Sequence, residues 1–321
     1  MTRVVFLGRL AKEDVTKRLL SIADVDLFVS EDMDEILREI PGAEVLVTAD
    51  VRGDDSKRLS EALHAKDCKV RWVQCLSAGY EGLVRHGFPK NIPLTNQGGA
   101  VAPAVAEHAF ALMLGLLRRV PESVLAKTRR EWDRSFSTTT SALEGRSLAL
   151  IGFGNIGKEI AKRARAFDMK VIGVTRSGRS DPLADEMHQV SKLHEVLARA
   201  EAIVLTAPQN EDNHHMIGAK ELAACRPEAI LVNVSRGGLV DPVALQAALE
   251  NGIIAAAALD VTEPEPLPGD HPLWHCPNLI ITPHIAGGGS KKSRGRILNV
   301  VSENFELYRA GKTLKNVVNA A

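Results

Sequence analysis

Short apolar runs alternate with segments of helical periodicity along the whole chain of 321 residues. The segment 31–40 shows the helical pattern, because Met33, Ile36, Leu37 and Ile40 fall on one face. Apolar runs predict strands at 4–8, 43–49, 70–76, 147–154, 170–175, 202–208, 229–235, 253–259 and 279–284. Strands alternating with helices predict an α/β fold with doubly wound parallel sheets made of right-handed crossover units.

The segment 105–117 is apolar on nearly every side, and only Glu107 and His108 interrupt it. A helix of this kind is buried between domains or shared with another subunit. We expect both, and therefore a homodimer. Trp132 follows this helix, and we consider two roles for it: covering a pocket of the neighbouring subunit, or simple packing.

Composition narrows the class of protein. The length favours two domains, and the hydrophobic fraction of 45% is enough for real cores. Lysine and arginine total 40, as do aspartate and glutamate, so neither nucleic acid nor a membrane surface is expected as a partner. The first residues contain only a short apolar run, which predicts a cytoplasmic protein. The cysteines lack metal-ligand spacing and are expected to be free thiols: Cys68, Cys75, Cys225 and Cys276.

A glycine-rich loop lies between a predicted strand and a predicted helix. Gly152, Gly154 and Gly157 have the spacing G-x-G-x-x-G, which in this context predicts a dinucleotide-binding site. The first glycine permits a tight turn, the second a close approach of the pyrophosphate, and the third close packing of helix on strand. The start of the helix supplies N–H groups to the phosphates.

The next strand indicates which dinucleotide binds. An NAD site carries an acid about 20 residues after the loop, which binds the ribose 2′-hydroxyl. Here the strand ends in the neutral Thr175, followed by Arg176, Ser177 and Arg179. Arginines attract a 2′-phosphate through charge-assisted hydrogen bonds, so we predict NADP as the preferred cofactor, with NAD possible. The alternative is a solvated basic turn.

Three further strand ends carry reactive side chains. Arg236 follows one strand, Asp260 and Glu265 follow the next, and His284 follows a third. Because ligands bind outside the carboxyl ends of strands in open α/β sheets, we expect these residues to converge on the cofactor.

With these motifs, the chain resembles the D-isomer-specific 2-hydroxyacid dehydrogenase family, and its pattern is closest to the NADPH-dependent glyoxylate/hydroxypyruvate reductases. The matching blocks are 76–83, 105–114, 143–157, 233–241, 258–266, 278–287 and 311–319. The resemblance implies two Rossmann-like domains. Residues 1–98 and 288–321 would form a flavodoxin-like substrate domain, and residues 99–287 the dinucleotide-binding domain.

Reduction of a 2-oxo acid requires a proton on the carbonyl oxygen as hydride reaches the carbon. His284 suits that acid/base role, and Glu265 would hold its ring in one tautomer. Arg236 would bind the substrate carboxylate and polarise the carbonyl. Glu263 could compete with Glu265, but the family spacing from Asp260 selects Glu265. The resemblance implies the same roles, and it assigns Asp260 to the nicotinamide carboxamide.

The resemblance also makes the segment 76–81 a substrate loop. Ala78 and Gly79 would offer N–H groups to the substrate carboxylate. Tyr80 departs from the valine that is common in the family at this position, so the substrate stays open. Further cofactor-binding positions are expected at Asn155, Ile156, Pro208 and Val234.

We therefore predict NADPH-dependent reduction of small 2-oxo acids, glyoxylate and hydroxypyruvate above all, to D-2-hydroxy acids. One alternative is an NAD-dependent member of the family with another 2-hydroxy acid as substrate. Another is a dinucleotide-sensing binding protein similar to the C-terminal-binding-protein corepressors, which keep the same triad. Formate dehydrogenases pair their histidine with glutamine, so Glu265 argues against that activity. His214 and His215 have no further ligand at metal spacing, and no metal site is expected.

Overall fold

The computed structural model describes residues 1–319. In chain order the strands are β1 (Thr2–Leu7), β2 (Val25–Ser30), β3 (Val45–Thr48), β4 (Trp72–Cys75), β5 (Leu94–Thr95), β6 (Ser147–Ile151), β7 (Lys170–Thr175), β8 (Glu186–Gln189), β9 (Ala202–Leu205), β10 (Ile230–Asn233), β11 (Ala256–Leu259) and β12 (Leu279–Ile281). The helices are α1 (Lys12–Leu20), α2 (Met33–Glu39), α3 (Asp54–His64), α4 (Glu81–Val84), α5 (Ala102–Leu117), α6 (Val120–Arg129), α7 (Asn155–Ala164), α8 (Leu193–Leu197), α9 (Ala219–Ala223), α10 (Pro242–Glu250) and α11 (Lys291–Arg309).

The chain divides into two compact units. The first comprises Met1–Val101 together with the residues from Ser290 onward, and the second comprises Ala102–Gly289. Each unit holds one sheet whose strand pairs are all parallel. The predicted fold class, two parallel α/β sheets of Rossmann type, is confirmed.

The first unit has a five-stranded sheet in the order β2-β1-β3-β4-β5. This is the flavodoxin-like order, in which the chain returns past its first strand before continuing. Separate apolar clusters cover the two faces of the sheet. On one face α11 packs near α1, and Phe305 meets Trp72 edge-on at 4.9 Å between ring centroids.

The second unit has a seven-stranded sheet in the order β12-β11-β10-β9-β6-β7-β8. The strand β6 has β7 on one side and β9 on the other, so the direction of the chain across the sheet reverses beside β6. In sheets of this kind the ligand crevice opens at the carboxyl ends of the strands at that reversal. The glycine loop leaves β6 at this end.

Strands β2, β5 and β8 were missing from the sequence expectations, and all three are edge strands. The outer strand β8 reads Glu-Met-His-Gln and is half-exposed, and β5 has only two residues. A half-exposed edge strand such as β8 lacks the continuous apolar run that marks buried parallel strands, and β5 is too short to show one.

The apolar helix α5 is largely buried within a single chain. It packs against α7 and the strands β10 to β12 of its own unit, and Phe110 stacks on Phe167 with centroids 5.1 Å apart. Its burial therefore does not require a second subunit, and the homodimer stays a prediction. The side chain of Trp132 is 95% exposed in the single chain.

Across residues 1–319, no helix combines the length and apolar character that crossing a bilayer requires.

The four cysteines are free thiols, as predicted. Cys75 is buried at the end of β4, and this burial raises the pKa of its thiol to about 11. Such a thiol is almost fully protonated at neutral pH and therefore a poor nucleophile.

Candidate active site

The glycine loop between β6 and α7 contains two positions where only glycine fits. Gly152 has a φ of 99°, and a Cβ there would lie 2.5 Å from the peptide nitrogen of Ala207. A Cβ on Gly157 would lie 2.7 Å from the carbonyl oxygen of Gly152. At Gly154, by contrast, an added Cβ would meet nothing within 4 Å. The first and third glycines close the turn against protein, while the second borders open space.

The first turn of α7 can accept an anion. It begins at Asn155 and Ile156, and among residues 1–319 no side chain caps it. The carbonyl of Gly154 accepts the N–H of Lys158 at 2.9 Å, which starts the helical hydrogen bonds. The earlier N–H groups remain available, and they carry the partial positive charge of the helix start. Open space beside Gly154 and free donors at α7 fit a pyrophosphate.

The turn after β7 holds the residues expected at the adenosine ribose. The hydroxyl of Thr175 accepts the N–H of Gly178 at 3.0 Å and so fixes the turn. Arg176, Ser177 and Arg179 are exposed. Within residues 1–319, neither arginine forms an ion pair. Two solvated guanidinium groups therefore lie on a turn whose strand ends without an acid.

An acid does follow this turn, but it forms an ion pair with a lysine. Asp181 lies 2.9 Å from the ammonium nitrogen of Lys158, which is on the first turns of α7. The hydrogen bond from Lys158 holds the pKa of the Asp181 carboxyl below its usual range. This pair has no sequence signal, since 23 residues separate its members and no local pattern connects them.

The expected acid/base pair is in contact in the second unit. Nδ1 of His284 lies 2.7 Å from Oε1 of Glu265, and the two side chains are 38% and 27% exposed. His284 has a φ of 53°, and its N–H donates to the carbonyl of Asp260 at 2.7 Å. Positive φ is uncommon outside glycine and often marks a functional position. Arg236 lies after β10 on the same sheet and donates to the carbonyl of Ser235 at 2.7 Å.

Asp260 is almost fully buried and fixes the turn that carries His284. Its Oδ1 accepts the Thr282 hydroxyl at 2.6 Å and the N–H of Ile285 at 3.0 Å, and its Oδ2 accepts the N–H of Ala286 at 3.0 Å. Nε2 of His108 lies 2.9 Å from the same hydroxyl and 3.2 Å from Oδ1. The carboxylate thus anchors the turn around His284, and its predicted contact with the nicotinamide stays a prediction.

The two glycines after Arg236 lie very close to neighbouring segments. A Cβ on Gly237 would lie 1.9 Å from the carbonyl oxygen of Thr262, in the segment that leads to Glu265. A Cβ on Gly238 would lie 2.3 Å from the side chain of Gln209. At Gly237 the neighbour is backbone, so only glycine allows this approach and fixes the distance between the loops after β10 and β11. At Gly238 the neighbour is the end of a flexible side chain, which can move.

The structure separates the two glutamates that could have paired with His284. Glu265 contacts His284, whereas Glu263 contacts His214 and His215 at 2.9 and 2.8 Å. The interpretation that the two histidines lack a further ligand was therefore wrong. Glu263 lies 48 residues beyond His215, and only the adjacency of the loops after β9 and β11 brings them together.

Pro208 and Val234 lie at the carboxyl ends of β9 and β10, the edge that also carries the glycine loop. Pro208 is exposed, and its carbonyl accepts the side-chain amide of Asn213 at 2.8 Å. Val234 is 6% exposed. Their predicted contact with the cofactor is compatible with this position and stays a prediction.

In the first unit, the segment 76–81 presents its backbone. The carbonyl of Ala78 accepts the side chain of Asn96 at 2.9 Å, and the carbonyl of Gly79 accepts the hydroxyl of Ser77 at 2.8 Å. Within residues 1–319, the N–H groups of Ala78 and Gly79 meet no acceptor. With their carbonyls held by the protein, these N–H groups are available to an anionic ligand.

The remainder of this loop is braced by the segment after β3. The N–H of Asp50 donates to Ser77 at 2.8 Å, and its Oδ1 accepts the N–H of Leu83 at 3.1 Å. A Cβ on Gly82 would lie 1.9 Å from the carbonyl oxygen of Val51. Tyr80 is half-buried, and burial together with Glu81 raises the pKa of its hydroxyl, which therefore stays protonated at neutral pH.

The residues that support these loops were not among the expected site residues. Asp50, Gly82 and Asn96 brace the backbone of the first unit, and His108 and Lys158 act within the second. Their only sequence signal was membership of the family-like blocks, which include Gly82 and His108.

Comparison with known proteins identifies the family. The model of the D-isomer-specific 2-hydroxyacid dehydrogenase NAD-binding domain matches residues 110–286. The chain belongs to this family of oxidoreductases. The predicted resemblance is thereby confirmed.

Three similar proteins illustrate the relationship. A glyoxylate reductase of Thermococcus litoralis is 32% identical over 89% of this chain and 85% of its own length. A D-3-phosphoglycerate dehydrogenase of Methanocaldococcus jannaschii is 33% identical over 96% of this chain, which spans 57% of that relative. A crystal structure of a family protein from Aeromonas salmonicida has a TM-score of 0.86 and 31% identity, covering 100% of this chain and 99% of the other.

Proposed function

We propose that this protein reduces small 2-oxo acids, of the glyoxylate and hydroxypyruvate class, to D-2-hydroxy acids with NADPH. The observation that carries the proposal is the contact between Nδ1 of His284 and Oε1 of Glu265 at 2.7 Å. A histidine held by a carboxylate at a strand end is suited to donate a proton to a carbonyl oxygen.

Residues of the second unit would hold the cofactor. Gly152, Gly154 and Gly157, with Asn155 and Ile156, would receive the pyrophosphate. Thr175, Arg176, Ser177 and Arg179 would surround the 2′-phosphate of the adenosine ribose, and Pro208, Val234 and Asp260 would complete the site. Bound NADPH supplies the hydride.

The geometry of His284 favours one ring nitrogen as the proton donor. Because Nδ1 contacts Glu265, the other ring nitrogen, Nε2, is left to donate to the substrate oxygen. Glu265 holds the ring and fixes its tautomer. The buried Asp260 holds the backbone just after His284 through the N–H groups of Ile285 and Ala286, and it accepts the Thr282 hydroxyl before it.

For the substrate carboxylate, the family resemblance implies candidate groups in each unit, taken separately. Arg236 provides a planar, permanently charged guanidinium. Ala78 and Gly79 provide N–H groups whose own carbonyls are already bonded to protein. Tyr80 follows them in the same loop, and its half-buried hydroxyl is a further candidate contact for the substrate.

Steady-state kinetics of the full chain test the proposal. NADPH and NADH are each combined with glyoxylate, hydroxypyruvate, 3-phosphohydroxypyruvate, phenylpyruvate and a branched 2-oxo acid. We expect the highest kcat/KM with NADPH and one of the first two acids, and a D-configured product. Higher kcat/KM with 3-phosphohydroxypyruvate or with NADH would overturn the substrate or the cofactor assignment. Tight dinucleotide binding without turnover of any acid would instead favour a dinucleotide-sensing binding protein.

We also propose that the protein is a cytoplasmic homodimer. Side chains on and after α6 support the dimer, because Val124, Leu125 and Trp132 are 54%, 56% and 95% exposed in a single chain. Val124 and Leu125 are neighbours on α6, and exposed apolar side chains that form a contiguous patch mark an interface. Light scattering coupled to size-exclusion chromatography measures the mass, and a monomer at micromolar concentration would contradict the dimer.

A further inference from the structure

A cluster of two histidines and one glutamate lies outside the acid/base pair. Nε2 of His214 lies 2.9 Å from Oε2 of Glu263, and Nε2 of His215 lies 2.8 Å from the same oxygen. The two imidazole rings are stacked with their centroids 3.8 Å apart. The ligand atoms of all three residues lie within 4.8 Å of one another. Two ring nitrogens and a carboxylate thus converge on one point.

The backbone on both sides of the cluster is fixed. The N–H of His215 donates to the carbonyl of Gly238 at 2.7 Å, and the side chain of Asn213 donates to the carbonyl of Pro208 at 2.8 Å. Gly237 packs its backbone against Thr262, the residue before Glu263. The ligands therefore need little rearrangement to bind a common ion, and a preorganised site loses less free energy on binding.

We propose that His214, His215 and Glu263 bind a divalent transition-metal ion, with Zn²⁺ as the best match. Imidazole nitrogens and a carboxylate oxygen are typical zinc ligands, with bonds of about 2.0–2.2 Å. Ligand atoms on a tetrahedral ion with such bonds lie about 3.3 Å apart. The ring nitrogens lie 2.9 and 2.8 Å from the Glu263 oxygen, so each would move away from it by about 0.5 Å to admit the ion. Mg²⁺ and Ca²⁺ prefer sites made entirely of oxygen and fit less well.

The partial exposure of the cluster suits this role. The side chains of His214, His215 and Glu263 are 45%, 35% and 40% exposed, so an ion can enter and retain water as a fourth ligand. Three protein ligands with an open position is a recurrent arrangement for zinc. The proposal revises the expectation from sequence that this histidine pair forms no metal site.

The third ligand distinguishes this cluster from other histidine–glutamate contacts of the chain. His194 contacts Glu221 at 2.8 Å, with one histidine and one carboxylate only. Among residues 1–319, the cluster of His214, His215 and Glu263 is the one group of at least three histidine, cysteine or acidic ligands that could hold an ion. His194 therefore provides a matched control, since it is also an exposed histidine bonded to a glutamate.

Calorimetric titration of the full, chelator-treated protein with ZnCl₂ tests the proposal. We expect one ion per chain with micromolar affinity. His214→Asn, His215→Asn and Glu263→Gln should each weaken binding at least tenfold, while His194→Asn should leave it unchanged. Absence of binding, unchanged affinity in the three cluster variants, or an equal loss in His194→Asn would overturn the proposal.

Cobalt provides a second readout that does not depend on activity. Co²⁺ in a site with nitrogen and oxygen ligands gives visible absorption whose intensity reports the coordination number. We expect a saturable band at one equivalent that is lost in His214→Asn, the most exposed of the three positions and hence the least disruptive to folding. Thermal melting without metal verifies that the variant is folded. A band that persists in a folded His214→Asn protein would contradict the assignment.

Discussion

The two units use the same architecture to present different chemistry. Both hold parallel sheets whose loops leave the carboxyl ends of the strands. In the seven-stranded unit, these loops present side chains, namely His284, Glu265 and Arg236. In the five-stranded unit, the loop after β4 presents peptide N–H groups at Ala78 and Gly79 and ties its carbonyls to protein. We therefore propose anion binding for the first unit and proton transfer for the second.

Among the substitutions that test this comparison, removal of the His284 imidazole should have the largest effect on activity. We expect His284→Ala to lower kcat by roughly 10²–10⁴, the usual contribution of general acid–base catalysis. The dissociation constant for NADPH should change little, because the glycine loop and α7 do not depend on this side chain. Steady-state kinetics and fluorescence titration measure the two quantities. A near-normal kcat would show that another group donates the proton.

Two matched glycine substitutions should distinguish the kinetic contributions of the two units. A Cβ at Gly237 or at Gly82 would lie equally close, 1.9 Å, to a carbonyl oxygen of a neighbouring segment. Gly237→Ala shifts the loops that carry Arg236 and Glu265, so we expect kcat to fall about 10²-fold, the cost of misplacing catalytic groups by about 1 Å. Gly82→Ala shifts the loop that carries Ala78 and Gly79, so we expect KM for the 2-oxo acid to rise about tenfold.

Gly42→Ala is the control for this pair, because a Cβ there would meet nothing within 4 Å. Its kinetics should match those of the unmodified protein. Thermal melting shows whether the other two variants remain folded at the assay temperature. If both of them alter kcat and KM in the same way, the division between side-chain and backbone chemistry is wrong.

Removal of one positive charge from the second unit should have a smaller effect, on cofactor preference. Arg176 is exposed on the turn after β7, where Thr175 replaces an acid. We expect Arg176→Ala to reduce the ratio of kcat/KM for NADPH over NADH by about tenfold, which is the loss of one charge-assisted contact of about 1.4 kcal/mol. Turnover with NADH should be almost unchanged. Arg226→Ala, which removes an exposed arginine bonded to Glu228 in the same unit, should leave the ratio as it is. An unchanged ratio in Arg176→Ala would indicate a solvated basic turn.

The second unit was more predictable from sequence than the first, for a physical reason. Its site consists of chemically distinctive side chains and of glycines at fixed spacing, which a linear pattern records directly. Gly152 and Gly157 could be assigned because the strand–turn–helix context gives each a steric task. The family resemblance then selected Glu265 over Glu263, and Glu265 is the glutamate that contacts His284.

Contacts between distant segments were not predictable. The bonds from Asn96 to Ala78 and from Asp50 to Leu83 join loops whose adjacency depends on the strand order β3-β4-β5. Glu263 meets the two histidines for the same reason, through neighbouring loops of the other sheet. Edge strands such as β8 were missed because their residues are half-exposed and lack an apolar run.

The smallest expected effect tests whether the substrate loop acts through its backbone. Asn96→Ala removes the hydrogen bond that holds the Ala78 carbonyl, a loss of about 1 kcal/mol. We expect KM for the 2-oxo acid to rise about fivefold while kcat stays within a factor of two, roughly, since the acid/base pair is untouched. Asn251→Ala removes a similar bond, from an asparagine to the carbonyl of Ala247 at 2.8 Å, and should leave KM unchanged. Equal KM values in Asn96→Ala and in the unmodified protein would mean that the N–H groups of this loop do not bind the carboxylate. Arg236 would then be left as its principal anchor.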